Sequence, residues 1–214
     1  MRWLAESMWH VMRKFGFGPL LLRVHPKSGL LRRGWFQSFR QKRPIDRTGE
    51  PIPWWTYSFT AFIEERLTSS MRVLEFGSGN STVWLSTRVK EVVSLESDPD
   101  WAVSVAKRLP ANARVLLRSS LLDAAATLDA KLSDFDILVI DAGNRIEIAK
   151  LAVGRLNQQG VVIWDNTDGP DWPAIRGLLV GYGFREVSFS GLIPQEVCES
   201  RTTVFYRTHN CLCL

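Results

Sequence analysis

Cysteine and histidine are scarce in this sequence of 214 residues, with three of each. The three cysteines all lie near the C-terminus, which argues against a disulfide framework and favours a reducing compartment, so we expect the cytoplasm. The three histidines lie outside the predicted core, so we expect no catalytic group built on cysteine or histidine. The residues concerned are Cys198, Cys211, Cys213, His10, His25 and His209.

Long apolar runs and internal repeats are also missing. No stretch is long and apolar enough to span a bilayer, and charged residues interrupt the beginning of the chain, so we expect neither a membrane span nor a cleavable signal peptide. With 45% hydrophobic residues, the chain can bury one good core. We predict one domain at residues 49–210, preceded by a peripheral extension at residues 1–48, which we call the arm.

Positive charge is concentrated in the arm. The net charge of the chain is +5, yet the arm alone holds eleven Lys and Arg against two acidic residues, so the remainder is acidic. Its first part has apolar residues at the spacing of a short amphipathic helix. Three interpretations stay open: an arm folded onto the domain, a peripheral contact with an anionic membrane, and a nucleic-acid patch, which we favour least. The helical positions are Trp3, Leu4, Met8, Val11 and Met12.

Strand-like and helix-like segments alternate along the domain. This alternation predicts an α/β fold with a doubly wound, mostly parallel seven-stranded sheet and helices on both faces. No helix fits between the last two strands, so the sheet should end in an antiparallel hairpin. The predicted strands are 71–76, 91–96, 113–118, 135–140, 160–165, 184–190 and 201–207, and the predicted helices are 56–68, 80–88, 99–109, 120–130, 145–156 and 171–181.

A glycine turn joins the first of these strands to a helix. The strand ends at Phe76, and Gly77 and Gly79 follow before the helical residues begin. Glycine lets a ligand lie against the main chain, and the free N–H groups of the next helix point toward the same place. The turn therefore favours a nucleotide-like ligand, although an ordinary strand-to-helix turn has the same pattern.

Two acidic residues strengthen the case for a ligand. Glu75 ends an apolar strand, where a carboxylate is costly without a hydrogen-bond donor. Glu96 ends the next strand, where an acidic side chain can accept from both hydroxyls of a ribose. The alternatives are that Glu75 is a partner of the following helix and that Glu96 is an exposed charge at a strand end.

The segment Glu-Phe-Gly-Ser-Gly-Asn-Ser at 75–81, together with Glu96, resembles the first two motifs of class I S-adenosylmethionine-dependent methyltransferases. A nicotinamide-binding Rossmann motif would have glycine where Ser81 stands. The resemblance implies that Glu75 lies near the methionine part of the cofactor and that Glu96 holds the ribose. The residues expected at the cofactor are Glu75, Gly77, Ser78, Gly79, Ser81, Glu96, Ser119, Ser120 and Asp141, although Ser120 has a second interpretation as the cap of the next helix.

Acidic and amide side chains close the fourth and fifth strands. Asp141, Arg145, Asp165 and Asn166 should meet in one cleft, because the carboxyl ends of parallel strands share an edge. We expect Asp141 to act as a general base, or to cap a helix, and Arg145 to bind an anionic or sugar substrate. The pattern also resembles cation-dependent catechol O-methyltransferases, whose lysine base is absent. Mg²⁺ is therefore an open alternative that we do not favour, and the metal ligands are unknown.

A Pro-Trp-Trp-Thr-Tyr segment at 53–57 precedes the first helix of the domain. It resembles a segment of poorly characterised methyltransferases found with polysaccharide-synthesis genes, which implies O-methylation of a sugar or other small polar acceptor. The two tryptophans, with the tyrosine, would form a lid over the cofactor or a stacking wall for the substrate; alternatively, the tryptophans would cap the sheet edge. The alternatives are a non-catalytic nucleotide- or cofactor-binding module, a dinucleotide oxidoreductase and an RNA methyltransferase.

Overall fold

A computed structural model describes Val11 and residues 14–214 of the chain. These residues form a sheet of seven strands in the order β3-β2-β1-β4-β5-β7-β6. The amphipathic helix predicted from Trp3 to Met12 lies mainly outside the described residues. The strands are β1 (Arg72–Phe76), β2 (Glu91–Glu96), β3 (Ala113–Leu117), β4 (Phe135–Ile140), β5 (Leu156–Trp164), β6 (Arg185–Leu192) and β7 (Glu199–Tyr206).

Helices cover both faces of the sheet. The described helices are α1 (Gly18–Val24), α2 (Gly29–Arg32), α3 (Trp35–Gln41), α4 (Tyr57–Glu64), α5 (Asn80–Ser86), α6 (Pro99–Ala106), α7 (Leu121–Thr127), α8 (Arg145–Ala152) and α9 (Trp172–Gly181), with one 3₁₀ turn at Val153–Arg155. Strands β1 to β5 pair in parallel, whereas β7 runs antiparallel to both β5 and β6. The predicted fold, including its final hairpin, is confirmed.

The core has two layers because successive residues of a buried strand point to opposite faces. In β1, Leu74 packs into the layer under α7, α8 and α9, whereas its neighbour Val73 packs into the layer under α4 and α5. The same alternation holds in β4 for Leu138 and Ile137. Continuous apolar runs, rather than alternating ones, are the pattern that a sheet covered on both faces requires.

Several element boundaries differ from the predicted ones. The helix predicted at 145–156 ends at Ala152, and β5 begins at Leu156 rather than at residue 160 because Leu156 pairs with Phe135. The first helix of the domain, predicted at 56–68, spans Tyr57–Glu64: Thr56 is its N-cap, accepting from the Phe59 N–H at 3.3 Å, and Glu65 is its C-cap. Caps and pairing partners set these limits.

The described part of the arm packs onto the domain. The Arg33 guanidinium donates to the Tyr57 carbonyl at 2.7 Å, and the Trp35 indole N–H donates to the Glu196 carbonyl at 2.8 Å. Close to the glycine turn, the Asn80 amide donates to the Pro44 carbonyl at 2.6 Å. These contacts support the folded-back interpretation, while the boundary at residue 48 stays a prediction.

The last residues of the chain also join the core. Leu212 is 1% exposed and packs in the layer that contains Val73 and Ile137. The Asn210 side chain accepts from the Leu212 N–H at 3.0 Å and holds the final turn. The domain end at 210 stays a prediction. Throughout the described residues, every helix is too short or too polar to cross a bilayer.

Candidate functional site

The glycine turn lies directly against the end of β4. Gly77 has φ of +92°, and a Cβ placed there would stand 2.3 Å from the Asp141 carbonyl oxygen. Only glycine meets both conditions without strain. The turn and the residues that follow β4 are therefore held in contact.

Gly79 has a different environment. Its φ of 177° is extended backbone that any residue adopts, and a Cβ added there meets nothing within 4 Å. Packing within the protein does not require glycine at this position. The open space beside the main chain of Gly79 fits a ligand that passes close to the backbone.

Glu75 is fully buried and has two donors from α5. Its Oε1 accepts from the Ser81 hydroxyl at 2.6 Å, and its Oε2 accepts from the Thr82 hydroxyl at 2.5 Å. Burial raises the pKa of Glu75 to about 7, although these hydroxyl donors oppose the shift. These contacts agree with the alternative interpretation, in which Glu75 is a partner of the following helix. Its contact with a cofactor, and that of Ser81, stay predictions.

Thr82 is a site residue that the sequence analysis missed. Its hydroxyl accepts from the Gly79 N–H at 2.9 Å while donating to Glu75, so it connects the glycine turn to the buried carboxylate. The spacing could have indicated this role, because the side chain of the third residue of a helix often accepts from the backbone N–H of the N-cap residue.

Glu96 is 8% exposed and is not the freely exposed strand-end charge of the alternative interpretation. Its Oε2 accepts from the Ser78 N–H and hydroxyl, both at 3.0 Å, and its Oε1 accepts from the N–H groups of Ser97 and Asp98 at 2.7 and 3.0 Å. A carboxylate has about four acceptor positions, and all four are used here. Hydroxyls of a ribose would have to share these positions or displace the Ser78 side chain.

Ser119 and Ser120 follow β3 at the same edge. Ser119 is exposed, and the Ser120 hydroxyl accepts from the Asp123 N–H at 3.1 Å, which makes Ser120 the N-cap of α7. In this structure Ser120 therefore caps the following helix, as the second interpretation predicted. Recognition of a ligand by these two serines stays a prediction.

Arg145 connects the ends of β4 and β5. Its Nη2 donates to Asp141 Oδ1 at 2.8 Å and to Asn166 Oδ1 at 3.1 Å, its Nε donates to the Ala142 carbonyl at 3.0 Å, and its Nη1 donates to the Asp165 carbonyl. Four of the five guanidinium N–H groups are thus bound within the protein. The predicted contact of Arg145 with substrate stays a prediction, with one N–H group left for it.

The two aspartates of this cluster have raised pKa values. Burial and the neighbouring Asp141 raise the pKa of Asp165 to about 7, against a hydrogen bond of 2.6 Å from the Thr202 hydroxyl. Burial also raises the pKa of Asp141, which the Arg145 guanidinium opposes. Asp141 keeps 32% of its side chain exposed, so it is the carboxylate of the pair that a substrate can reach.

The cluster does not fit a divalent cation as it stands. The Arg145 guanidinium already supplies the positive charge between Asp141 and Asn166. Among the described residues, no three Cys, His, Asp or Glu side chains are grouped as metal ligands. A cation at this position would have to displace Arg145, and we derive no chemistry from one.

The two tryptophans before α4 differ in their surroundings. Trp55 is fully buried, with its ring 6.3 Å from that of Trp84, so it is part of the core and forms neither a lid nor a stacking wall. Trp54 is 43% exposed and remains available for contact. The two residues lie in a bend before α4, which leaves one side chain in the core and the other at the surface.

Residues 74–167 match the sequence model of a family described as a methyltransferase domain. No curated protein sequence matches the chain. The match to the family model supports the methyltransferase resemblance of residues 75–81 and Glu96, while the domain bounds 49–210 stay a prediction.

Solved structures share the fold at low identity. The O-methyltransferase TomG from Streptomyces achromogenes, involved in tomaymycin synthesis and solved in complex with SAM, is 20% identical over 90% of this chain and 96% of that chain, with a TM-score of 0.56. The N-methyltransferase NodS from Bradyrhizobium japonicum, in complex with S-adenosyl-L-homocysteine, is 15% identical over 71% and 86%, with a TM-score of 0.52. An rRNA methylase from Streptococcus thermophilus is 16% identical over 69% and 92%, with a TM-score of 0.54. These three proteins have different acceptors, so the fold alone does not define the acceptor.

The two glycines of the turn should respond differently to alanine. Gly77→Ala places a methyl group against the Asp141 carbonyl at positive φ, so we expect it to lower the free energy of unfolding by about 1–3 kcal/mol or more. Gly79→Ala should stay within about 0.5 kcal/mol of the natural protein, because the methyl group meets open space. Urea unfolding measures both, and equal losses of stability for the two variants would contradict this account.

Because Glu75 is buried, the free energy of unfolding of the protein should decrease as the pH rises. Because the pKa of Glu75 is about 7 in the folded state and 4.5 as a free side chain, the folded protein holds the proton longer, and stability decreases as pH rises from about 4.5 to about 7. Glu75→Gln removes this loss, so between pH 5 and pH 8 it should gain a few kcal/mol relative to the natural protein, at about 1.4 kcal/mol per pKa unit.

Urea unfolding at both pH values measures this difference. Asp165 titrates in the same window but is present in both proteins, so its contribution cancels. Glu65→Gln, at a side chain that is 80% exposed, is the control and should follow the natural protein. If the stability of Glu75→Gln changed with pH in the same way as that of the natural protein, the Glu75 carboxylate would already be ionised in the folded state.

Proposed function

We propose that the protein is an S-adenosylmethionine-dependent methyltransferase that methylates an oxygen atom of a sugar or another small polar acceptor. The observation that carries the proposal is the open space beside Gly79, in a turn whose Gly77 lies against the Asp141 carbonyl and whose Ser78 N–H donates to Glu96. The match of residues 74–167 to a methyltransferase domain supports the class of reaction.

The glycine turn and the end of β2 would hold the cofactor. The main chain at Gly79 allows close approach, and Glu96 and Ser78 carry the polar atoms for a ribose. S-adenosylmethionine, when bound, supplies an activated methyl group, so the protein has to align an acceptor and remove its proton. Both tasks fall to residues at the ends of β4 and β5.

Asp141 is our candidate for the base. Its raised pKa makes it a better proton acceptor than an ordinary aspartate, and its partial exposure leaves an oxygen accessible. Asp141 would accept the proton of the acceptor hydroxyl, whose oxygen takes the methyl group that the cofactor gives up from its sulfur. Arg145 orients the Asp141 carboxylate, and Asp165 and Asn166 complete the polar wall.

The sugar acceptor rests on the resemblance of residues 53–57 and on the neutral-to-acidic character of the site. A cation-dependent catechol enzyme is less well supported, because Arg145 already occupies the space between the oxygen ligands. A non-catalytic cofactor-binding module is disfavoured by the retained base at Asp141. Nucleic acid as acceptor would require the basic residues of the arm to line the cleft.

Calorimetric titration of the full chain tests the cofactor. We expect saturable binding of S-adenosylmethionine and none of NAD, with binding weakened at least about tenfold in Glu96→Ala because the ribose acceptor is lost. Glu65→Ala, at a side chain that is 80% exposed and lies outside the glycine turn and β2, is the control and should bind like the natural protein. Binding of NAD, or binding of neither compound, would overturn the proposal.

We also propose that the arm contacts an anionic membrane surface, with the protein in the cytoplasm. The arm exposes large apolar side chains beside basic ones: Phe15 is 64% exposed, Phe17 52% and Val24 60%, with Lys14 and Arg23 among them. Exposed aromatic rings next to cations suit the boundary between headgroups and acyl chains. The three cysteines are free, which supports a reducing compartment.

Vesicle flotation tests the membrane contact. The full chain should float with vesicles that contain phosphatidylserine and stay behind with phosphatidylcholine alone, because the basic residues need anionic lipid. Phe15→Ser with Phe17→Ser should abolish flotation. Val197→Ser, at a side chain that is 67% exposed and outside the arm, should not. Absence of flotation by the natural protein, or its survival in the double variant, would rule the contact out.

A further inference from the structure

The three described helices of the arm border a groove of about 960 Å³. Helices α1 and α3 supply most of its lining, and α2 contributes Leu30. This volume lies at the upper end of the range of about 300–1,000 Å³ in which proteins hold small ligands. The groove is separate from the glycine turn and from the ends of β4 and β5. Its apolar lining residues are Pro19, Leu22, Leu30, Trp35, Phe36 and Phe39.

The apolar walls of the groove are open to solvent. Leu22 is 46% exposed and Phe39 is 53% exposed. The rings of Trp35 and Phe39 are stacked with their centres 5.2 Å apart, and Phe36 meets Trp35 edge-on at the same distance. Covering apolar surface gains about 25 cal/mol per Å², and exposed apolar patches of this kind mark binding sites. The walls therefore favour a ligand with a hydrocarbon part.

The charge at the groove is entirely positive. Among the described residues that line it, the charged ones are Arg23 and Arg40. Neither arginine has a carboxylate partner in the part of the chain that the structure describes. The Arg23 guanidinium carbon lies 5.4 Å from the centre of the Phe36 ring, so this cation borders the apolar wall. Guanidinium groups suit phosphate oxygens, so the groove fits an anionic amphiphile.

Trp35 connects the groove to the domain. Its indole N–H donates at 2.8 Å to the carbonyl of Glu196, in the loop between β6 and β7. Because β7 runs antiparallel to β5, this loop lies at the edge of the sheet where β5 ends. The glycine turn follows β1 at the same edge, since β1, β4 and β5 are parallel. A lipid in the groove would therefore hold this edge of the sheet close to the membrane surface.

We propose that the groove binds one molecule of an anionic phospholipid, with an acyl chain against Trp35 and Phe39 and the headgroup phosphate beside Arg23 and Arg40. This is a lipid site with defined residues, in contrast to a general attraction of the arm to a charged surface. The inference rests on the proposed membrane contact. It adds the class of lipid, the number of molecules bound and the residues that bind them.

Titration with a monomeric lipid separates this site from adsorption to a vesicle. Dihexanoylphosphatidylserine, kept below the concentration at which it forms micelles, is added to the full chain in a calorimeter. We expect saturable binding of one molecule per chain. Dihexanoylphosphatidylcholine should bind at least about tenfold more weakly, because its headgroup has no net charge and its choline cation repels the two arginines.

The arm contains a matched control for the two arginines. Arg23→Gln with Arg40→Gln should weaken the binding of dihexanoylphosphatidylserine about tenfold or more. Lys27→Gln with Arg32→Gln removes the same charge from exposed positions of the arm that do not line the groove, and should bind the lipid like the natural protein. Equal weakening in the two double variants would show that only the net charge of the arm matters, which overturns the site.

The acyl chain has its own pair of variants. Phe39→Ser should weaken the binding of dihexanoylphosphatidylserine about fivefold, because it removes part of the apolar wall. Leu20→Ser, at a side chain that is 52% exposed in α1 and outside the groove lining, should leave the affinity unchanged. Both side chains are largely exposed, so neither variant should affect folding.

The remaining outcomes also decide the matter. If monomeric dihexanoylphosphatidylserine does not bind while the full chain still floats with anionic vesicles, the membrane contact stands and the lipid site is wrong. If neither occurs, both proposals fail. Hexanoate, a carboxylate with a single short chain, should bind more weakly than the phospholipid, and equal affinity would identify a fatty-acid site instead.

Discussion

The contact between the ends of β1 and β4 is the constraint on which the rest of the site depends. Gly77 lies so close to the Asp141 carbonyl that no side chain fits between them. Because the two strands are neighbours in the sheet, this contact holds the glycine turn against the backbone of Asp141, the residue that follows β4. The glycine turn and the candidate base therefore belong to the same edge of the sheet.

That edge concentrates buried negative charge. Glu75, Asp141 and Asp165 all have pKa values raised by burial, and the Arg145 guanidinium donates to the carboxylate of Asp141. An arrangement of this kind lowers stability at neutral pH, since each carboxylate is held where ionisation is costly. The same shift makes a carboxylate a better proton acceptor, which is the role that we propose for Asp141.

The individual side chains at the edge were harder to predict than the fold. Polar residues at strand ends were correctly expected to meet, since parallel strands end at a shared edge. The partners they choose there were not predictable. Glu75 accepts from Ser81 and Thr82, and Arg145 bonds mainly to groups of the protein, because short-range hydrogen bonds depend on rotamers and on loop geometry that periodicity does not encode.

The sequence by itself determined the order of strands and helices along the chain, the glycine turn and the final hairpin. It could do so because hydrophobic periodicity and turn chemistry are local properties. Only the tertiary structure decided which tryptophan is core and which is exposed, and that the arm reaches the glycine turn through Pro44. These features arise from contacts between residues far apart in the chain, whose geometry depends on how all the elements pack together.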